Sequence, residues 1–478
     1  MQLSELENKK VAIWGYGREG RAAYYALREK FFEQTLTVLC SEAEASQLRE
    51  IGDSRLVIVT DEVTAELLAR FDVVIKSPGI SPYRAPVPDA RARGVIFTSG
   101  TALWYGEHED ANDIAVTGTK GKSTTSALIA HLLRASGARV GLAGNIGLPL
   151  LELIGIDPEP DCWVVELSSF QAGDARSPDV AVVLNVFPEH LDWHGSEDRY
   201  IADKLALVTR CGARQVVLNA ADTRLAAFGR SNALMGASRE RNAEWGDLAP
   251  GARVHWFNTR DGWHVLGSML KRGEHEILDC KALSLPGQHN LSNLCAALAA
   301  IEALGLDAMP LATKALTFKS LPHRLQPIGR REGREYVNDS ISTTPYASLA
   351  ALDVYASRRV AILVGGYDRG LDWAPFAQRM NSAPPIAVIA MGQNGARIAH
   401  DLAPAARGGR FVLHQALEMG EAVRVAEQAL GAEGVVLLSP GAPSFPRYKD
   451  YIERGRHFAQ MSGFDPNQIS AITGLGVA

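Results

Sequence analysis

Short apolar runs alternate with stretches of helical periodicity along almost the whole chain, and this alternation restricts the folds that the chain can adopt. The runs with the length and composition of strands lie at residues 11–15, 36–40, 72–77, 114–118, 162–168, 180–186, 214–220, 360–366, 386–392 and 434–441. Strands that alternate with helices form parallel sheets whose faces are covered by the helices. The sequence therefore predicts an α/β protein.

Turn-rich segments near residues 98–100 and 320–322 divide the chain into three parts, residues 1–100, 101–320 and 321–478. Three parts agree with a length of 478 residues, because a domain commonly holds about 150 residues. We predict three α/β domains with these bounds, N-terminal, central and C-terminal.

The alternation lapses between about residues 228 and 285, where short stretches read RVHWFN, GWHVLG and HEILDCKALSL. These stretches alternate apolar with polar residues, as strands with one solvated face do. We predict a small antiparallel meander attached to the central domain.

The charge balance argues against a nucleic-acid partner. The chain has 49 basic and 54 acidic residues, a net charge of −5, so it has no excess of positive charge for a phosphate backbone. No apolar run approaches the roughly 18–20 residues that cross a bilayer, and the opening MQLSELENKK lacks the apolar core of a signal peptide. The five cysteines form no CxxC pair, which disfavours a zinc site or disulfide framework and fits a reducing compartment. We expect a monomeric cytoplasmic protein without membrane insertion.

A glycine-rich turn follows the first strand run in WGYGREG, with Gly15, Gly17 and Gly20 in GxGxxG spacing. Such a turn between a strand and a helix is typical of dinucleotide binding. Cys40 occupies the position that usually holds the ribose-binding acid, and Glu42 comes two residues later. Three interpretations remain open: NAD, another nucleotide-containing ligand, and glycines that only allow close packing.

A second glycine loop carries a stronger signal, in IAVTGTKGKSTTSALIAHLLRASG at residues 114–137. Backbone N–H groups and the N-terminus of the following helix place partial positive charge there, which suits a phosphate. Lys122 is placed to reach the β- and γ-phosphates, and Ser123 or Thr124 to offer a hydroxyl to Mg²⁺. Val116 replaces the first glycine of the common GxxxxGK[ST] form, so this loop is a shorter subtype.

Three further residues are candidates for metal binding or catalysis. Glu166 closes the apolar run CWVVE, where a buried acid without a partner or metal would be costly. His190 follows a later strand in NVFPEHLDWHG, and Lys204 lies on the next helix, on the same face as Tyr200. An isolated histidine is more often structural and a helix lysine more often solvated, so these two roles remain open on the residues alone.

Taken together and in order, the motifs of this chain resemble those of the Mur ligase family of peptidoglycan synthesis. They are TGTKGKST, GNIG, ELSSFQ, NVFPEHLDWHG with YxxxK, GQHNLSN, LPHR, NDS and LSPGAPSFPRYKDYIERG, and they extend over essentially the whole chain. SPGI at residues 77–80, ELSSFQ and the C-terminal segment resemble the branch that adds glutamate to UDP-N-acetylmuramoyl-L-alanine. Folylpolyglutamate synthases share the phosphate loop but lack an N-terminal nucleotide-sugar domain.

The resemblance implies an α/β ligase of three domains that uses ATP and two Mg²⁺ ions on small-molecule substrates. The N-terminal and C-terminal domains would be Rossmann-like, and the central domain would be a P-loop ATPase-type parallel sheet with the small antiparallel meander. It places the uridine diphosphate substrate on the N-terminal domain and its neighbour, at Gly15, Tyr16, Gly17, Arg18, Ser77 and Asn145. It places ATP at Gly118, Thr119, Lys120, Gly121, Lys122, Ser123, Thr124, Asn290, Asn293, Arg324 and Asp339. Of these, Arg324 and Asp339 would close over ATP from the C-terminal domain.

The resemblance also implies catalytic and metal-binding roles. Lys122 would contact the transferring phosphate, and His190 would hold one Mg²⁺. The other ion would lie on Glu166 with the hydroxyl of Ser123 or Thr124. Lys204 matches a lysine that carries a carbamate, an anionic oxygen ligand in place of a cation that would repel Mg²⁺. No base for the incoming amine is identified.

The amino-acid site is where the chain departs from the common D-glutamate pattern. The resemblance places glutamate at Thr343, Arg369, Ser444 and Tyr451. Arg369 replaces a lysine, Tyr451 replaces a phenylalanine, and Lys120 replaces a frequent asparagine of the phosphate loop. A guanidinium binds a carboxylate through a planar fork and an ammonium binds it as a point charge, so the pocket is altered. We predict L-glutamate, as in a less common branch that leaves inversion to a separate epimerase.

Three alternatives remain open. The first is the same reaction with D-glutamate. The second, an NAD-dependent oxidoreductase, explains GxGxxG but leaves the phosphate loop, Glu166 and the LSPGAPS segment unused. The third, a non-catalytic nucleotide-binding regulator, is disfavoured because the metal-binding and closing residues are all present.

Overall fold

The computed structural model describes residues 1–233, 245–469, 472 and 474–478. The chain forms two compact units. The first contains residues 1–283, 289–317 and 474–478, and the second contains residues 284–288 and 318–473. Both units are built on largely parallel sheets with helical connections, so the α/β prediction is confirmed.

Five strands at the start of the chain form the first sheet: β1 (Val11–Trp14), β2 (Leu36–Leu39), β3 (Leu56–Val59), β4 (Val73–Lys76) and β5 (Ile96–Thr98). Their order is β3-β2-β1-β4-β5, and all neighbours are parallel. The helices that follow the strands are α1 (Arg18–Lys30), α2 (Glu42–Arg49), α3 (Ala65–Leu68), α4 (Val87–Ala92) and α5 (Gly100–Glu107). Ile13 packs in one apolar core and Ala12 in another, so β1 is buried on both faces.

The second sheet of this unit contains β6 (Asp113–Thr117), β7 (Val140–Gly144), β8 (Cys162–Glu166), β9 (Val180–Val183), β10 (Gln215–Asn219) and β11 (Arg253–Phe257). These strands are parallel, in the order β11-β10-β9-β6-β8-β7, and the short strand Gly476–Val477 adds antiparallel to β7. The helices between them are α6 (Lys122–Ala135), α7 (Leu191–His194), α8 (Glu197–Thr209) and α9 (Thr223–Ala233). Because β9, β6 and β8 are parallel neighbours, the loops after them meet at one edge of the sheet.

Three antiparallel strands form the predicted meander: β12 (Trp263–Leu266), β13 (Met269–Arg272) and β14 (His275–Asp279). The prediction was wrong for RVHWFN, which forms β11 and pairs parallel with β10. Helix α9 lies between β10 and β11, and a helical crossover allows parallel pairing. Residues 234–244 of the predicted meander region lie outside the described residues. Helices α10 (Gln288–Ala303) and α11 (Met309–Ala312) follow the meander.

The sheet of the second unit contains β15 (Gln326–Arg331), β16 (Arg334–Asn338), β17 (Val360–Val364), β18 (Ala387–Ala390), β19 (Val412–Gln415) and β20 (Gly434–Leu438). Its order is β15-β16-β20-β17-β18-β19, and only β15 and β16 are antiparallel. The helices are α12 (Pro345–Val354), α13 (Ala374–Ser382), α14 (Gly395–Ala406), α15 (Met419–Leu430) and α16 (Tyr451–Met461). Alternate residues of β17 enter two different cores, so this sheet is also buried on both faces.

Every strand run predicted from the sequence corresponds to a strand of these sheets. The sequence does not predict β3, β5, β7, β15, β16 and β19. Four of these, β3, β5, β15 and β19, are edge strands, and β7 contains two glycines. The division into two units, the first of which holds two large sheets, does not test the boundaries of three domains. The predicted domain boundaries therefore remain predictions.

Candidate active site

The phosphate loop lies between β6 and α6. Gly121 has a φ of +89° just before Lys122 begins the helix, a conformation that glycine adopts at little cost. A Cβ atom on Gly121 would lie 2.3 Å from the Oδ1 atom of Asn293. Asn293 donates through Nδ2 to the Oδ1 atom of Asn290 at 3.2 Å. The structure therefore brings both predicted asparagines of α10 to the phosphate loop.

The segment after β9 holds the phosphate loop in place. The Asn185 side chain accepts from the Lys120 backbone N–H at 2.9 Å and donates to the Lys120 carbonyl oxygen at 3.0 Å. The Thr119 hydroxyl lies 2.7 Å from the Tyr200 hydroxyl and accepts from the Phe187 N–H at 3.1 Å. These bonds fix the loop backbone, whose N–H groups suit an anion together with the helix N-terminus.

Two lysines place positive charge on this loop. The Nζ atom of Lys122 donates to the carbonyl oxygens of Gly118 and Thr119 at 2.9 and 3.2 Å. Lys120, which replaces the more frequent asparagine, is exposed and pairs with Glu189. The flexible stem of Lys122 allows its ammonium to turn from these carbonyls to a phosphate on the same loop.

Glu166 ends β8, the parallel neighbour of β6, and only 1% of its surface is exposed. Its Oε1 atom accepts from the Asn145 side chain at 2.7 Å. Its Oε2 atom is buried without a hydrogen-bond partner among the described residues. A buried carboxylate oxygen without a partner is costly, and a cation would satisfy it. In the first turn of α6, Ser123 is buried and Thr124 is half-buried.

Lys204 is buried on α8, with 1% of its surface exposed. Its Nζ atom lies 5.1 Å from the centre of the Tyr200 ring, which confirms that the two side chains share a helix face. Burial holds the pKa of Lys204 well below its usual value, and the positive charge of Lys122 lowers it further against the opposing charge of Glu189. A lowered pKa favours the neutral amine at this position.

His190 lies at the start of α7 with a φ of +54° and is exposed. Its ring centre is 5.2 Å from that of Phe170. Over the ranges that the structure describes, no group of three or more His, Cys, Asp or Glu side chains could hold a metal. A metal site made from the predicted residues would therefore depend on hydroxyl groups and a modified lysine as well as on Glu166 and His190.

Three buried residues beside these candidates have no role in the predicted site. Ser169, His194 and Asp203 form a chain of hydrogen bonds. All three lie in or beside the motif segments that carry predicted residues, and this location was the only sequence signal by which they could have been found. Their pairing joins separate parts of the chain and has no periodicity that a sequence would show.

The first glycine loop lies between β1 and α1. A Cβ atom on Gly20 would lie 1.9 Å from the Gly15 carbonyl oxygen, so the third glycine of the motif lets the helix approach the strand closely. Ser77 donates to the same Gly15 oxygen at 3.4 Å. Arg18 donates to the carbonyl oxygen of Gly147, in the GNIG segment, at 3.1 Å. The structure thus brings together the segments predicted to bind the nucleotide sugar.

The surroundings of this loop differ from those of a typical dinucleotide site. Glu44 caps α2 with Ser41 and also accepts from the Tyr16 backbone N–H at 3.0 Å. The Tyr16 ring is buried edge-to-face against Tyr24, so a substrate contact from Tyr16 would depend on its backbone. Cys40 stands directly after β2, and burial raises the pKa of its thiol to about 11. No acid therefore occupies the position that usually binds the ribose.

Asp339 follows β16 in the second unit and is buried. Its Oδ2 atom accepts from the hydroxyls of Ser342 and Ser439 at 2.5 and 2.7 Å, and its Oδ1 atom accepts from the Leu325 N–H at 3.1 Å. Burial raises the pKa of Asp339 to about 6. Asp339 thereby holds the segment next to the half-buried Arg324. Since both residues belong to the second unit, their contact with ATP remains a prediction.

The four predicted glutamate residues belong to the second unit, three on loops and Tyr451 at the start of α16. Thr343 and Arg369 are exposed, and Ser444 and Tyr451 are half-buried. A cavity of about 460 Å³ lies among the loops after β17, β18, β19 and β20, and of the four residues only Ser444 lines it.

Arg454 connects two of these loops and was not predicted. It is buried and donates to the side-chain and backbone oxygens of Ser340 at 3.1 and 2.7 Å and to the Ala442 carbonyl oxygen at 2.9 Å. Ser340 precedes Thr343, and Ala442 precedes Ser444, so Arg454 holds the two predicted loops together.

Comparisons with known proteins identify the family of the chain. A model of the Mur ligase middle domain matches residues 116–301, which include the phosphate loop, Glu166 and Lys204. The UDP-N-acetylmuramoyl-L-alanine--L-glutamate ligase of Xanthomonas axonopodis pv. citri is 54% identical over 487 residues, which cover 100% of both chains. The chain belongs to the Mur ligase family. A ligase with the same name from a Micromonospora species is 39% identical over 471 residues, which cover 96% of this Mur ligase and 98% of the relative.

Solved structures agree with this assignment. The UDP-N-acetylmuramate-alanine ligase of Thermotoga maritima is 19% identical with a TM-score of 0.54, over 95% of this Mur ligase and 99% of that chain. The MurF ligase of the same organism, in complex with ADP, is 14% identical with a TM-score of 0.56, over 96% of both chains. At these identities the similarity shows the fold. The full-length relatives show that this Mur ligase is an ATP-dependent, amide-bond-forming ligase of peptidoglycan synthesis.

Two further observations concern its cellular setting. No helix within the described ranges is long and apolar enough to cross a membrane. The five cysteines are free thiols. The cytoplasmic location and the monomeric state remain predictions.

Proposed function

We propose that this Mur ligase joins glutamate to the alanine carboxyl group of UDP-N-acetylmuramoyl-L-alanine at the expense of ATP. The observation that carries the proposal is the 54% identity, over the full length of both chains, with a ligase of that substrate. The geometry supports it with a phosphate loop that carries Lys122 and, at a neighbouring strand end, with a buried oxygen of Glu166 that has no hydrogen-bond partner in the described part of the chain.

In the proposed first step, the alanine carboxylate attacks the γ-phosphorus of ATP. A bond forms between the carboxylate oxygen and phosphorus, the bond to the bridging oxygen of ADP breaks, and an acyl phosphate results. Two anions must approach each other, so positive charge at the γ-phosphate stabilises the transition state. Lys122 supplies a full charge, and the loop N–H groups with the N-terminus of α6 supply partial charges.

The oxygen donors of the site fit magnesium, which prefers carboxylate and hydroxyl oxygens. Glu166 with Ser123 or Thr124 would hold one ion, and His190 with a carbamylated Lys204 would contribute to the second. When bound, such ions neutralise charge on the transferring phosphoryl group. The support for the first position is the buried Oε2 atom of Glu166, to which no residue of the described ranges donates a hydrogen bond.

Lys204 is chemically suited to carbamylation. A neutral amine attacks CO₂, a nitrogen–carbon bond forms and one proton leaves. Burial and the charge of Lys122 lower the pKa of Lys204 and so favour the reactive neutral form. The product would place an anionic oxygen donor, instead of an amine, beside Lys122.

In the proposed second step, the neutral amine of glutamate attacks the acyl carbon and phosphate leaves from a tetrahedral intermediate. No residue is assigned as the base for this amine. Glutamate would be bound by Thr343, Arg369, Ser444 and Tyr451. Arg324 and Asp339, which belong to the second unit, are proposed to act on the same ATP as Lys122, which belongs to the first.

L-Glutamate is expected to be the preferred isomer. With UDP-N-acetylmuramoyl-L-alanine and ATP, phosphate release should show a kcat/KM for L-glutamate at least about tenfold above that for D-glutamate, a difference of about 1.4 kcal/mol. The physical reason is that Arg369 differs from the lysine of the common D-glutamate pattern in donor geometry, and Tyr451 adds a hydroxyl that its phenylalanine lacks. A polar site rejects an isomer that leaves its donors unpaired.

Arg369→Lys and Tyr451→Phe are the matched variants, since each restores the residue of the D-glutamate pattern. Both should move the ratio of kcat/KM towards D-glutamate. A tenfold preference of the wild-type protein for D-glutamate would overturn the isomer assignment and leave the ligase assignment standing. No turnover with either isomer would overturn glutamate as the substrate.

The geometry favours no second function. The NAD-dependent alternative explains only the first glycine loop, where Cys40 stands in place of the ribose-binding acid. The non-catalytic alternative gives no role to the buried carboxylate of Glu166 or to the buried amine of Lys204.

A further inference from the structure

A buried chain of hydrogen bonds runs beside the predicted metal-binding residues. The Nε2 atom of His194 lies 3.0 Å from the Ser169 hydroxyl, and its Nδ1 atom lies 2.8 Å from the Oδ2 atom of Asp203. His194 is completely buried, and Ser169 and Asp203 are 7% and 8% exposed. The Oδ1 atom of Asp203 accepts from the Tyr83 hydroxyl at 2.5 Å. Four separate segments of the first unit are thereby linked.

The partners assign the donors and acceptors in this chain. A carboxylate only accepts, so the Nδ1 atom of His194 carries the proton that Asp203 binds. In the neutral imidazole, the Nε2 atom is then the acceptor of a hydrogen bond that the Ser169 hydroxyl donates. Both ring nitrogens are satisfied, and the orientation of the imidazole is fixed from both sides.

Each residue of this hydrogen-bonded chain lies close in sequence to one predicted metal-binding residue. Ser169 comes three residues after Glu166, and His194 comes four residues after His190. Asp203 directly precedes Lys204. A backbone hydrogen bond also joins one of these pairs directly, because the N–H of His194 donates to the carbonyl oxygen of His190 at 3.1 Å. The two hydrogen bonds that join Ser169, His194 and Asp203 therefore also fix the relative positions of the three segments that would carry the metal ligands.

The short helix α7, which contains His194, is joined by hydrogen bonds to the loop after β4. The Ser81 hydroxyl donates to the Trp193 carbonyl oxygen at 2.7 Å. The indole N–H of Trp193 lies 3.1 Å from the carbonyl oxygens of both Pro78 and Gly79. This loop begins directly after Ser77, which is predicted to bind the uridine diphosphate. The hydrogen-bonded chain thus connects the predicted metal site with the predicted nucleotide-sugar site.

We propose that Ser169, His194 and Asp203 are positioning residues, which hold the three metal-binding segments in register and connect them through Tyr83 to the nucleotide-sugar loop. This inference rests on the metal site of the proposed function. Removal of a group that orients a metal ligand without touching the metal commonly weakens metal binding by roughly 10- to 100-fold. The same three residue types also form nucleophilic triads, so the test includes that chemistry.

The test measures the affinity for Mn²⁺ by electron paramagnetic resonance, with a non-hydrolysable ATP analogue present and no turnover. Ser169→Ala and Asp203→Asn should each weaken Mn²⁺ binding by about tenfold. The double variant should be weakened no further than either single variant, because both substitutions act through His194. Ser46→Ala, which removes an exposed serine hydroxyl on α2, is the matched control and should bind Mn²⁺ as the wild-type protein does.

An unchanged Mn²⁺ affinity in Ser169→Ala would overturn the proposal, and so would losses that multiply to about a hundredfold in the double variant. Thermal unfolding checks that each variant is folded, and Tyr83→Phe, which removes a single hydroxyl bonded to Asp203, replaces Asp203→Asn if that variant does not fold. Labelling of Ser169 by a fluorophosphonate would identify a nucleophile and overturn the positioning role. Failure of the wild-type protein to bind Mn²⁺ would instead overturn the metal site on which the inference rests.

Discussion

Replacement of Lys122 by alanine is expected to lower the rate of ADP formation by about 100- to 1,000-fold, while binding of the uridine nucleotide substrate stays nearly unchanged. Lys122 is held on the phosphate loop by the carbonyl oxygens of Gly118 and Thr119, within reach of any phosphate on that loop. Without its ammonium, the repulsion between the attacking carboxylate and the γ-phosphate is less fully offset. The uridine nucleotide is predicted to bind mainly at the first sheet, which Lys122 does not belong to.

The measurement is a coupled assay for ADP, together with calorimetric binding of UDP-N-acetylmuramoyl-L-alanine. Lys281→Ala, which removes an exposed lysine, is the matched control and should keep the wild-type rate. Lys122→Arg should remain strongly impaired, because a planar guanidinium does not reproduce a compact point charge. Turnover near the wild-type rate in Lys122→Ala would contradict the assignment of the phosphate loop.

The fold was predictable where strands are buried on both faces. Runs such as IAVTG and VAILVGG become β6 and β17, whose side chains are entirely buried. Edge strands such as β5 and β19 are short and partly exposed, so their apolar signal is weak. The stretch RVHWFN has the alternation of a half-exposed strand, but its parallel pairing depends on a helical crossover that the local pattern does not reveal.

The candidate site was predictable where its chemistry lies in one continuous segment. The phosphate loop and the acid that ends CWVVE are of this kind, because a strand end fixes the position of the residues that follow it. Contacts between distant segments were not predictable. The approach of Asn293 to Gly121 and the loop contacts of Arg454 depend on how helices pack on the sheets, and no spacing in the sequence records that packing.

Replacement of Lys204 by alanine is expected to lower the ligation rate by on the order of 100-fold, and a small carboxylate such as formate is expected to restore part of it. Lys204 is 1% exposed, and its lowered pKa favours the amine that reacts with CO₂. Alanine removes the proposed carbamate and leaves room for a free carboxylate to supply the oxygen donors. Protein equilibrated with isotopically labelled bicarbonate should show a carbamate signal by nuclear magnetic resonance, and Lys204→Ala should not.

Lys204→Arg is the matched control, because a guanidinium keeps its proton and cannot form a carbamate, and its bulk leaves no room for formate. It should be as inactive as Lys204→Ala and should not respond to formate. Removal of CO₂ should slow the wild-type protein and leave the formate-restored alanine variant unchanged. If Lys204→Ala keeps full activity and removal of CO₂ does not affect the wild-type protein, the proposed carbamylation of Lys204 is wrong. If activity is lost without restoration by formate, and no label is found on the wild-type protein, Lys204 acts as an amine, and the second metal position then requires another oxygen donor.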